Sequence, residues 1–282
     1  MKARLHQSLS RFDVTSLLVV GDVMVDEFVL GEVQRISREA PVPILEWMSH
    51  RQVPGGAANA AANAASLGGR VTVAGLIGAD GAGDSLRTLL MDQGMDTSGL
   101  LVDPLRPTTV KTRISATSKQ SVTQQVVRLD RLSRAPMDAA TELQLIAFIE
   151  ARIPDVDAVL ISDYESGVVT PPVIAAICAA AHRHGKILAV DSQADLGHFQ
   201  APTIVTPNQP EAERVVGYTF PDVETLTRGG REILARSQAT YVLITRGAEG
   251  MALFGADGQV TLIPAYNRSA VFDVTGAGDT VV

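Results

Sequence analysis

The sequence predicts an α/β fold in which a mostly parallel sheet lies between two layers of helices and carries a small β-sheet lid. Three observations lead to this prediction. Short apolar runs alternate with helix-length segments, a polar residue follows nearly every apolar run, and two stretches of period-two alternation interrupt the pattern. Alternating strands and helices are typical of parallel sheets that are covered on both faces.

The apolar runs are the candidate core strands, and they cover residues 17–20, 71–77, 158–162, 187–190, 203–206 and 241–245. Between them lie segments long enough for helices, at residues 57–67, 83–93, 139–152, 171–184 and 222–237. Pro171 suits a first helical turn, and Gly68 and Gly185 suit helix ends. No internal repeat or linker divides the chain, so we expect a single domain over residues 1–282.

Residues 27–48 and 108–128 alternate with period two, and no helix separates the strands expected within each stretch. In the second stretch, Lys111 and Arg113 share one strand face, while Thr112 lies on the other. We interpret both stretches as extra strands outside the main sheet. The pattern leaves open whether they form a lid over a cleft or an antiparallel extension of the sheet edge.

Composition excludes several classes of partner. The formal charge of −7 comes from acidic residues scattered along the chain of 282 residues, which argues against binding to nucleic acid or to an anionic membrane. The longest apolar run, 173–181, is too short to span a bilayer, and we expect a cytoplasmic protein. Cys178 lies in this run, and we interpret it as a packing residue.

Polar residues stand at the ends of five predicted strands, and they are Asp22, Asp163, Asp191, Asn208 and Arg246. In an open α/β sheet, ligands bind beyond the carboxyl ends of the strands. We therefore expect these residues to converge on one cleft, although each alone could be a turn former or a helix cap.

A loop of small residues, Asp273-Val-Thr-Gly-Ala-Gly-Asp279, follows a strand-like run at 270–272. Backbone N–H groups of Gly276, Ala277 and Gly278 can approach an anion closely, which suits the charge that develops on a transferred phosphate. A carboxylate beside such an anion site suits a general base, and we assign this role to Asp279. A Gly-rich turn followed by a helix would give the same pattern.

The same loop resembles the second signature of the PfkB family of carbohydrate and nucleoside kinases, and the resemblance spans the chain. Residues 21–26 resemble the family's first strand, which places its sugar-binding Asp at Asp26. Residues 54–59 resemble its di-glycine turn, which implies that Gly55, Gly56 and Asn59 lie near substrate hydroxyls. The resemblance implies a three-layer, Rossmann-like (ribokinase-like) fold.

The resemblance also implies ATP as a substrate and Mg²⁺ as a cofactor. Residues 206–211 resemble the N-x-x-E element, which places Asn208 and Glu211 near Mg²⁺ and phosphate, with Glu211 acting through water. Residues 245–250 resemble the loop that lies against ATP. The residues assigned to the nucleotide side are Asn208, Glu211, Asp191, Thr245, Gly247 and Gly250, whereas Asp163 is assigned to the sugar side.

Two strings, 35–43 and 124–130, resemble the group of this family that phosphorylates D-glycero-β-D-manno-heptose 7-phosphate to the 1,7-bisphosphate, an early step of ADP-heptose and lipopolysaccharide synthesis. We therefore expect an acceptor that already carries a phosphate, held by Arg35, Lys111 and Arg113. That group carries lysines where this chain has Ser166 and Gln193.

Other interpretations stay open. They are a PfkB kinase for ribose, fructose, a phosphorylated hexose or a nucleoside, a sugar-binding relic without turnover, and, more weakly, a nucleotide-dependent oxidoreductase. The resemblance suggests a homodimer whose lids meet, with Trp47 as a packing or dimer residue. The chain stops three residues after Asp279 where the family continues, so we expect the C-terminal part of the family fold to be missing.

Overall fold

The computed structural model describes residues 10–118, 121–265 and 276–281. Its strands are β1 (Ser16–Gly21), β2 (Val23–Ile36), β3 (Pro43–Gly56), β4 (Arg70–Gly78), β5 (Asp96–Asp103), β6 (Val110–Ser118), β7 (Ser121–Arg131), β8 (Ala158–Asp163), β9 (Ile187–Ser192), β10 (Ile204–Val205), β11 (Tyr241–Thr245), β12 (Met251–Gly255) and β13 (Val260–Ile263). Its α-helices are α1 (Ala57–Ser66), α2 (Gly81–Met91), α3 (Ala139–Arg152), α4 (Pro171–Arg183), α5 (Gln209–Val216), α6 (Val223–Ser237) and α7 (Ala277–Val281).

The main sheet has the order β13-β12-β11-β10-β9-β8-β1-β4-β5 within the described ranges. Neighbouring strands from β5 to β11 run parallel, and only β12 and β13 are added antiparallel at one edge. From β1 the chain builds the sheet first toward β4 and β5 and later in the other direction from β8. This reversal of strand order creates a crevice at the carboxyl ends of the strands, where ligands bind in open α/β sheets.

Helices cover both faces of this sheet, as the sequence predicts. On one face, α1 and α2 pack against it and bury Ala57, Leu86 and Leu90. On the other face, the buried helix residues come from α3, α4, α5 and α6, and Leu145 and Ile177 are among them. The core strands are apolar on both faces because neither face meets water.

The period-two segments form a separate sheet with the order β3-β2-β6-β7. The pairs β2/β3 and β6/β7 are antiparallel, and β2/β6 is parallel. The prediction of strands outside the main sheet is confirmed, and the alternative of an edge extension is wrong. Three boundaries differ by three residues or more, because β2 begins at Val23, β3 continues to Gly56 and β7 continues to Arg131. Lys119 and Gln120, within the second predicted segment, lie outside the described residues.

Several elements were not predicted, namely β5, β12, β13 and α5. Strand β5 contains Gly99, a residue that weakens strand patterns, although a Cβ at this position would lie 2.7 Å from the Val73 carbonyl oxygen of neighbouring β4. Tertiary contact rather than local preference therefore determines this glycine. The predicted strand at 270–272 lies outside the described residues.

The prediction that Cys178 is a packing residue is confirmed. Cys178 lies in α4, is 1% exposed and belongs to the core cluster on that face of the main sheet. Among the residues that the structure describes, no helix is both long and apolar enough to cross a membrane.

Candidate active site

A cleft opens at the carboxyl ends of β8 and β9, in the crevice described above. Its lining comes from these strand ends, from the start of α5 and from α7, and consists of Asp163, Tyr164, Asp191, Ser192, Gln193, Asn208, Glu211, Gly276, Gly278 and Asp279. Three of the strand-end residues, Asp163, Asp191 and Asn208, are brought together here with the candidate base.

Both carboxylate oxygens of Asp279 are held by side chains from distant parts of the chain. The Tyr164 hydroxyl donates to Oδ1 at 2.6 Å, and Asn59 Nδ2 donates to Oδ2 at 2.7 Å. Asp279 is 8% exposed. Asn59 lies in α1, directly after the di-glycine turn, so the structure brings the candidate base next to the turn that the resemblance assigned to the sugar.

Tyr164 was not identified as a functional residue from the sequence. Burial raises the pKa of its hydroxyl far above the ordinary value, and the negative charge of Asp279 raises it further. The hydroxyl is therefore protonated and acts as a hydrogen-bond donor to Asp279. Its position directly after the strand-end residue Asp163 was a signal in the sequence that could have pointed to it.

The glycine loop is described from Gly276 onward, and Asp273, Val274 and Thr275 lie outside the described residues. Gly276 has a φ of +75°, and a Cβ there would lie 2.8 Å from Asn59 Nδ2. A side chain at this position would press on the amide that holds Asp279. Ala277 begins α7, and a Cβ at Gly278 would meet no described heavy atom within 4 Å. Phosphate contacts by these backbone groups stay a prediction.

Asp22 does not face the cleft, contrary to the expectation from its strand-end position. It is 2% exposed, and its carboxylate accepts hydrogen bonds from the backbone N–H groups of Tyr164, Ser166 and Val168. Burial raises the pKa of Asp22, while these bonds act in the opposite direction. Its role is structural, because it fixes the loop that follows β8.

Asp163 is held by the same region of the chain. Its Oδ1 accepts a hydrogen bond from the Glu165 backbone N–H at 2.8 Å, and its Oδ2 accepts one from Ser192 Oγ at 2.7 Å. It borders the cleft with only 5% of its surface exposed. A direct contact of Asp163 with a sugar stays a prediction.

Asp191 is a carboxylate of the cleft whose pKa is raised. Burial raises its pKa to about 7, and the neighbouring charges of Glu211 and Asp279 contribute to this increase. Thr206 Oγ1 lies 3.3 Å from Asp191 Oδ1 and lowers the pKa slightly. Carboxylates gathered in a partly buried cleft repel one another, so a cation in the cleft would relieve this repulsion.

Asn208 and Glu211 form a capping box at the start of α5. Asn208 Oδ1 accepts from the Glu211 backbone N–H at 2.9 Å, and Glu211 Oε2 accepts from the Asn208 backbone N–H at 2.9 Å. Among the described residues, no cluster of three or more His, Cys, Asp or Glu could hold a metal ion directly. Binding of Mg²⁺ near Glu211 stays a prediction.

The segment assigned to the nucleotide lies next to this cap. Thr245 pairs with Asn208 in an isolated parallel bridge, and Arg246 forms an ion pair with Glu249. Gly250 has a φ of +87°, and a Cβ there would lie 2.0 Å from the Ile263 carbonyl oxygen of β13. Gly250 is thus required by packing within the chain. Gly247 also has a positive φ, of +52°, but a Cβ there would meet no described heavy atom within 4 Å.

On the acceptor side, Asp26 lies on β2 of the separate sheet and not on the first strand of the main sheet. Its Oδ1 accepts a hydrogen bond from Arg113 Nη1 at 2.6 Å. Gly55 approaches it so closely that a Cβ there would lie 2.8 Å from Asp26 Cγ. Gly56 has a φ of +55° at the junction between β3 and α1. The turn and Asp26 therefore form one compact unit.

Lys111 extends from β6 to the cleft, where its Nζ lies 4.9 Å from the centroid of the Tyr164 ring. Burial lowers the pKa of Lys111, and the charges of Asp26 and Asp130 oppose this effect. No ion pair of Lys111 occurs within the described ranges. Its ammonium group therefore lies over the ring of Tyr164, the tyrosine that binds Asp279, and phosphate binding by Lys111 stays a prediction.

The structure separates Arg35 from the other two predicted phosphate-binding residues. Arg113 lies opposite Phe28 on β2, and exposed Arg35 lies seven residues further along this strand, roughly 23 Å at about 3.3 Å per residue. The three side chains cannot meet on one phosphate within one chain. Arg51 was missed by the sequence analysis, because its position opposite Phe28 depends on the β2/β3 register. Its guanidinium lies 4.8 Å from the Phe28 ring centroid, and that of Arg113 lies 5.5 Å away.

Comparison with known proteins gives the same fold and a family. The family model described as pfkB family carbohydrate kinase matches residues 14–282. The chain is 42% identical over 266 residues to bifunctional protein HldE of Geobacter metallireducens, covering 94% of this chain and 53% of that protein. It is 40% identical over 284 residues to bifunctional protein HldE of Trichlorobacter lovleyi, covering 100% and 57%. The chain thus spans about half the length of these relatives.

Solved structures share the fold at low sequence identity. Arabidopsis thaliana ribokinase, solved with ribose and ATP, superposes with a TM-score of 0.70 at 19% identity, over 94% of this chain and 83% of that one. Phosphofructokinase-2 from Escherichia coli, solved with fructose-6-phosphate, gives a TM-score of 0.73 at 19% identity over the same shares of the two chains. These similarities confirm the predicted ribokinase-like fold with its additional small sheet.

Proposed function

Because the chain belongs to the pfkB family of carbohydrate kinases, we propose that it transfers the γ-phosphoryl group of ATP to a hydroxyl of a phosphorylated sugar. The proposed acceptor is D-glycero-β-D-manno-heptose 7-phosphate, and the product is its 1,7-bisphosphate. The observation that carries the proposal is the placement of Asp279, a carboxylate fixed at both oxygens in a cleft between Lys111 of the lid and the start of α5.

In the proposed reaction, the acceptor hydroxyl gives its proton to a carboxylate oxygen of Asp279. The acceptor oxygen forms a bond to the γ-phosphorus, the bond from that phosphorus to the β,γ-bridging oxygen breaks, and ADP leaves. Backbone N–H groups of Gly276, Ala277 and Gly278 would bind the charge that develops on the transferred group. Asn208, Asp191 and the segment from Thr245 to Gly250 would border the nucleotide.

Mg²⁺ is proposed on the nucleotide side, near Glu211 and through water. When bound, it would supply positive charge that neutralises the phosphates. The raised pKa of Asp191, near Glu211 and Asp279, supports a cation in this part of the cleft, because bringing positive charge here relieves carboxylate repulsion. Glu211 keeps one oxygen in the helix cap, which leaves the other for a water ligand of the ion.

The acceptor would bind between the separate sheet and the main sheet, with Asp26, Asn59 and the Gly55-Gly56 turn beside its hydroxyls. Lys111 and Arg113 would hold the phosphate it already carries, and Arg51 extends the same basic face. Arg113 is neutralised in part by Asp26, whereas Lys111 and Arg51 have no carboxylate partner in the described part of the chain. Support for the heptose phosphate comes from the strings at 35–43 and 124–130 and from the identity to HldE proteins.

A second acceptor, such as a phosphorylated hexose, is favoured by one observation. At the positions where the heptose phosphate kinase group carries lysines, this chain has Ser166, whose backbone N–H is bound to Asp22, and Gln193. If those lysines contribute to phosphate binding, this chain must replace them with cations of the lid.

A homodimer is also part of the proposal. The separate sheet β3-β2-β6-β7 is the proposed lid and is called the lid sheet below. Its face opposite Asp26 carries exposed apolar residues, among them Trp47, Val127 and Leu129. Trp47 is 68% exposed, so it does not serve packing within one chain. Apolar surface of this kind favours association. In such a dimer, Arg35 would contact the partner chain, because it lies too far from the cleft of its own chain.

The test is a panel of acceptors with ATP and Mg²⁺, in which mass spectrometry detects the gain of one phosphate. The panel contains the heptose 7-phosphate, the same heptose without phosphate, fructose 6-phosphate and ribose. We expect kcat/KM to be highest for the heptose 7-phosphate and about 10²-fold lower for the plain heptose, because remote phosphate binding contributes to the transition state. Asp279→Asn should lower kcat by about 10² or more, the scale for loss of a general base.

The outcomes separate the parts of the proposal. Equal turnover of the phosphorylated and plain heptose would reject phosphate recognition, and preference for fructose 6-phosphate would identify the second acceptor. Lys111→Met should reduce kcat/KM for the phosphorylated sugar at least about tenfold more than for the plain sugar. The control, Lys186→Met, removes a lysine that binds the Pro154 carbonyl away from the cleft. No phosphate gain on any acceptor would contradict the kinase proposal itself.

A further inference from the structure

Tyr164 occupies a position that the proposed mechanism has not yet used. Its hydroxyl lies 2.6 Å from Asp279 Oδ1, within the range of a short hydrogen bond to a carboxylate. A carboxylate that rotates about its side-chain bonds presents its lone pairs in many directions, but one held at both oxygens presents them in one direction. The bonds from Tyr164 and Asn59 therefore determine the orientation of the candidate base.

A bound acceptor would affect the two hydrogen bonds to Asp279, from Asn59 and from Tyr164, differently. The resemblance places Asn59 near substrate hydroxyls, so its amide can be shared with the acceptor. Tyr164 approaches from the other side, on the loop after β8, and its hydroxyl has one proton to donate. The bond from Tyr164 can persist while the acceptor hydroxyl approaches Oδ2.

The backbone of Tyr164 is itself fixed. Its N–H donates to Asp22 Oδ2 at 2.8 Å, and the next residue, Glu165, has a φ of +55° and donates its N–H to Asp163 Oδ1. On the other side, Lys111 lies over the ring. A phenol that is held at its backbone and on its ring face can hold another side chain in one orientation.

We propose that Tyr164 is a positioning residue, which orients Asp279 through its hydroxyl so that Oδ2 faces the acceptor hydroxyl. The proposal rests on the proposed phosphoryl transfer, and it adds a residue that acts through Asp279. Its consequence is specific: loss of the hydroxyl lowers the rate of proton removal while both substrates still bind.

Tyr164→Phe is the decisive variant, because it removes one oxygen and keeps the ring under Lys111. We expect kcat for the best acceptor to fall about 10- to 100-fold, a part of the effect of a general base, while KM for ATP and for the sugar changes less than about threefold. The control is Tyr241→Phe, which removes a hydroxyl from an exposed tyrosine on β11. An unchanged kcat, or a loss that appears only in KM, would overturn the assignment.

A second measurement tests the hydrogen bond without turnover, so it remains decisive even if the kinase proposal fails. Thermal unfolding is compared for the chain, Tyr164→Phe, Asp279→Ala and the double variant. We expect Tyr164→Phe to lower Tm by about 2–6 °C in the original chain, because it removes a bond to a charged group. In the Asp279→Ala background the same change should shift Tm by less than about 1 °C. Equal shifts in both backgrounds would show that the two side chains are not coupled.

Discussion

At the scale of single residues, aspartates at the carboxyl ends of β1 and β9 have different roles because their surroundings differ. Asp22 is enclosed by three backbone N–H groups and stabilises a loop. Asp191 lies in the cleft with one weak hydroxyl contact and three acidic neighbours. From the sequence, both aspartates are expected to face the cleft, since each follows an apolar run. The number of N–H donors around each carboxylate distinguishes them.

The raised pKa of Asp191 predicts a pH dependence of stability. Its folded-state pKa of about 7 lies above its ordinary value of 3.8, so its contribution to stability is fully present below pH 4 and is lost as pH rises to 7. Asp191→Asn removes this loss. We expect the free energy of unfolding of the variant, relative to the original chain, to be about 1–3 kcal/mol higher at pH 8 than at pH 5.

Urea unfolding at the two pH values measures this difference. Asp92→Asn is the control, because Asp92 is exposed at the end of α2, and its relative stability should change by less than about 0.5 kcal/mol between the same pH values. A relative stability of Asp191→Asn that falls with pH would show that the carboxylate is stabilised in the folded protein.

At the scale of elements, the junction between β3 and α1 depends on a glycine. Gly56 has a φ of +55°, and a Cβ there would lie 2.6 Å from the Asp22 carbonyl oxygen and 2.5 Å from Met24 Cε. The backbone conformation and the lack of space both require glycine. This junction determines where α1 begins and therefore where Asn59 lies. Because Asn59 donates a hydrogen bond to Asp279, the conformation at Gly56 affects the position of Asp279.

Gly56→Ala should therefore destabilise the protein more than an alanine at another glycine with positive φ. Gly185 is the matched control, because its φ is +60° and a Cβ there would meet no described atom within 4 Å. We expect Gly185→Ala to lower the free energy of unfolding by about 1–2 kcal/mol, the effect of the left-handed conformation alone. Gly56→Ala should lower it by at least about 2 kcal/mol more, because backbone atoms must move. Equal losses in urea unfolding would contradict the close contact.

The start of α5 shows how one motif supports two interpretations. The N-x-x-E element was assigned to Mg²⁺ and phosphate through the family resemblance, and the structure shows that the same two side chains cap α5. A polar residue followed three positions later by Glu is also the sequence signature of a capping box. The cap explains the spacing, and the place of the cap in the cleft lining supports the second role.

At the scale of the whole molecule, the face of the lid sheet that lies away from the cleft carries exposed apolar residues beside a polar cluster of Glu27, His50 and Gln52. Register places Asp26, Lys111 and Arg113 on the face toward the cleft, and Val127 and Leu129 on the opposite face. A single chain leaves the second face in water, with Leu129 64% exposed. A second copy of the chain would bury it.

The proposed dimer predicts a mass of about twice 29.8 kDa in sedimentation at micromolar concentration. Trp47→Glu should shift the distribution to the single-chain mass, because burying an unpaired carboxylate is unfavourable. Leu105→Glu is the control, since Leu105 is 88% exposed in the turn after β5, outside the lid sheet. A single-chain mass for the original protein would reject the dimer, and an unchanged mass for Trp47→Glu would move the interface elsewhere.

The sequence by itself determined the fold class, the main helices, most core strands and the separate sheet, because hydrophobic periodicity reports burial directly. It also determined the kinase family through motifs distributed along the chain. Only the tertiary structure decided that Tyr164 and Asn59 hold Asp279, that Asp22 is structural, and that Arg51 rather than Arg35 lies beside Arg113. The residues in each of these contacts are far apart in the chain. Strand register and loop geometry bring them together, and local sequence patterns do not encode either of these.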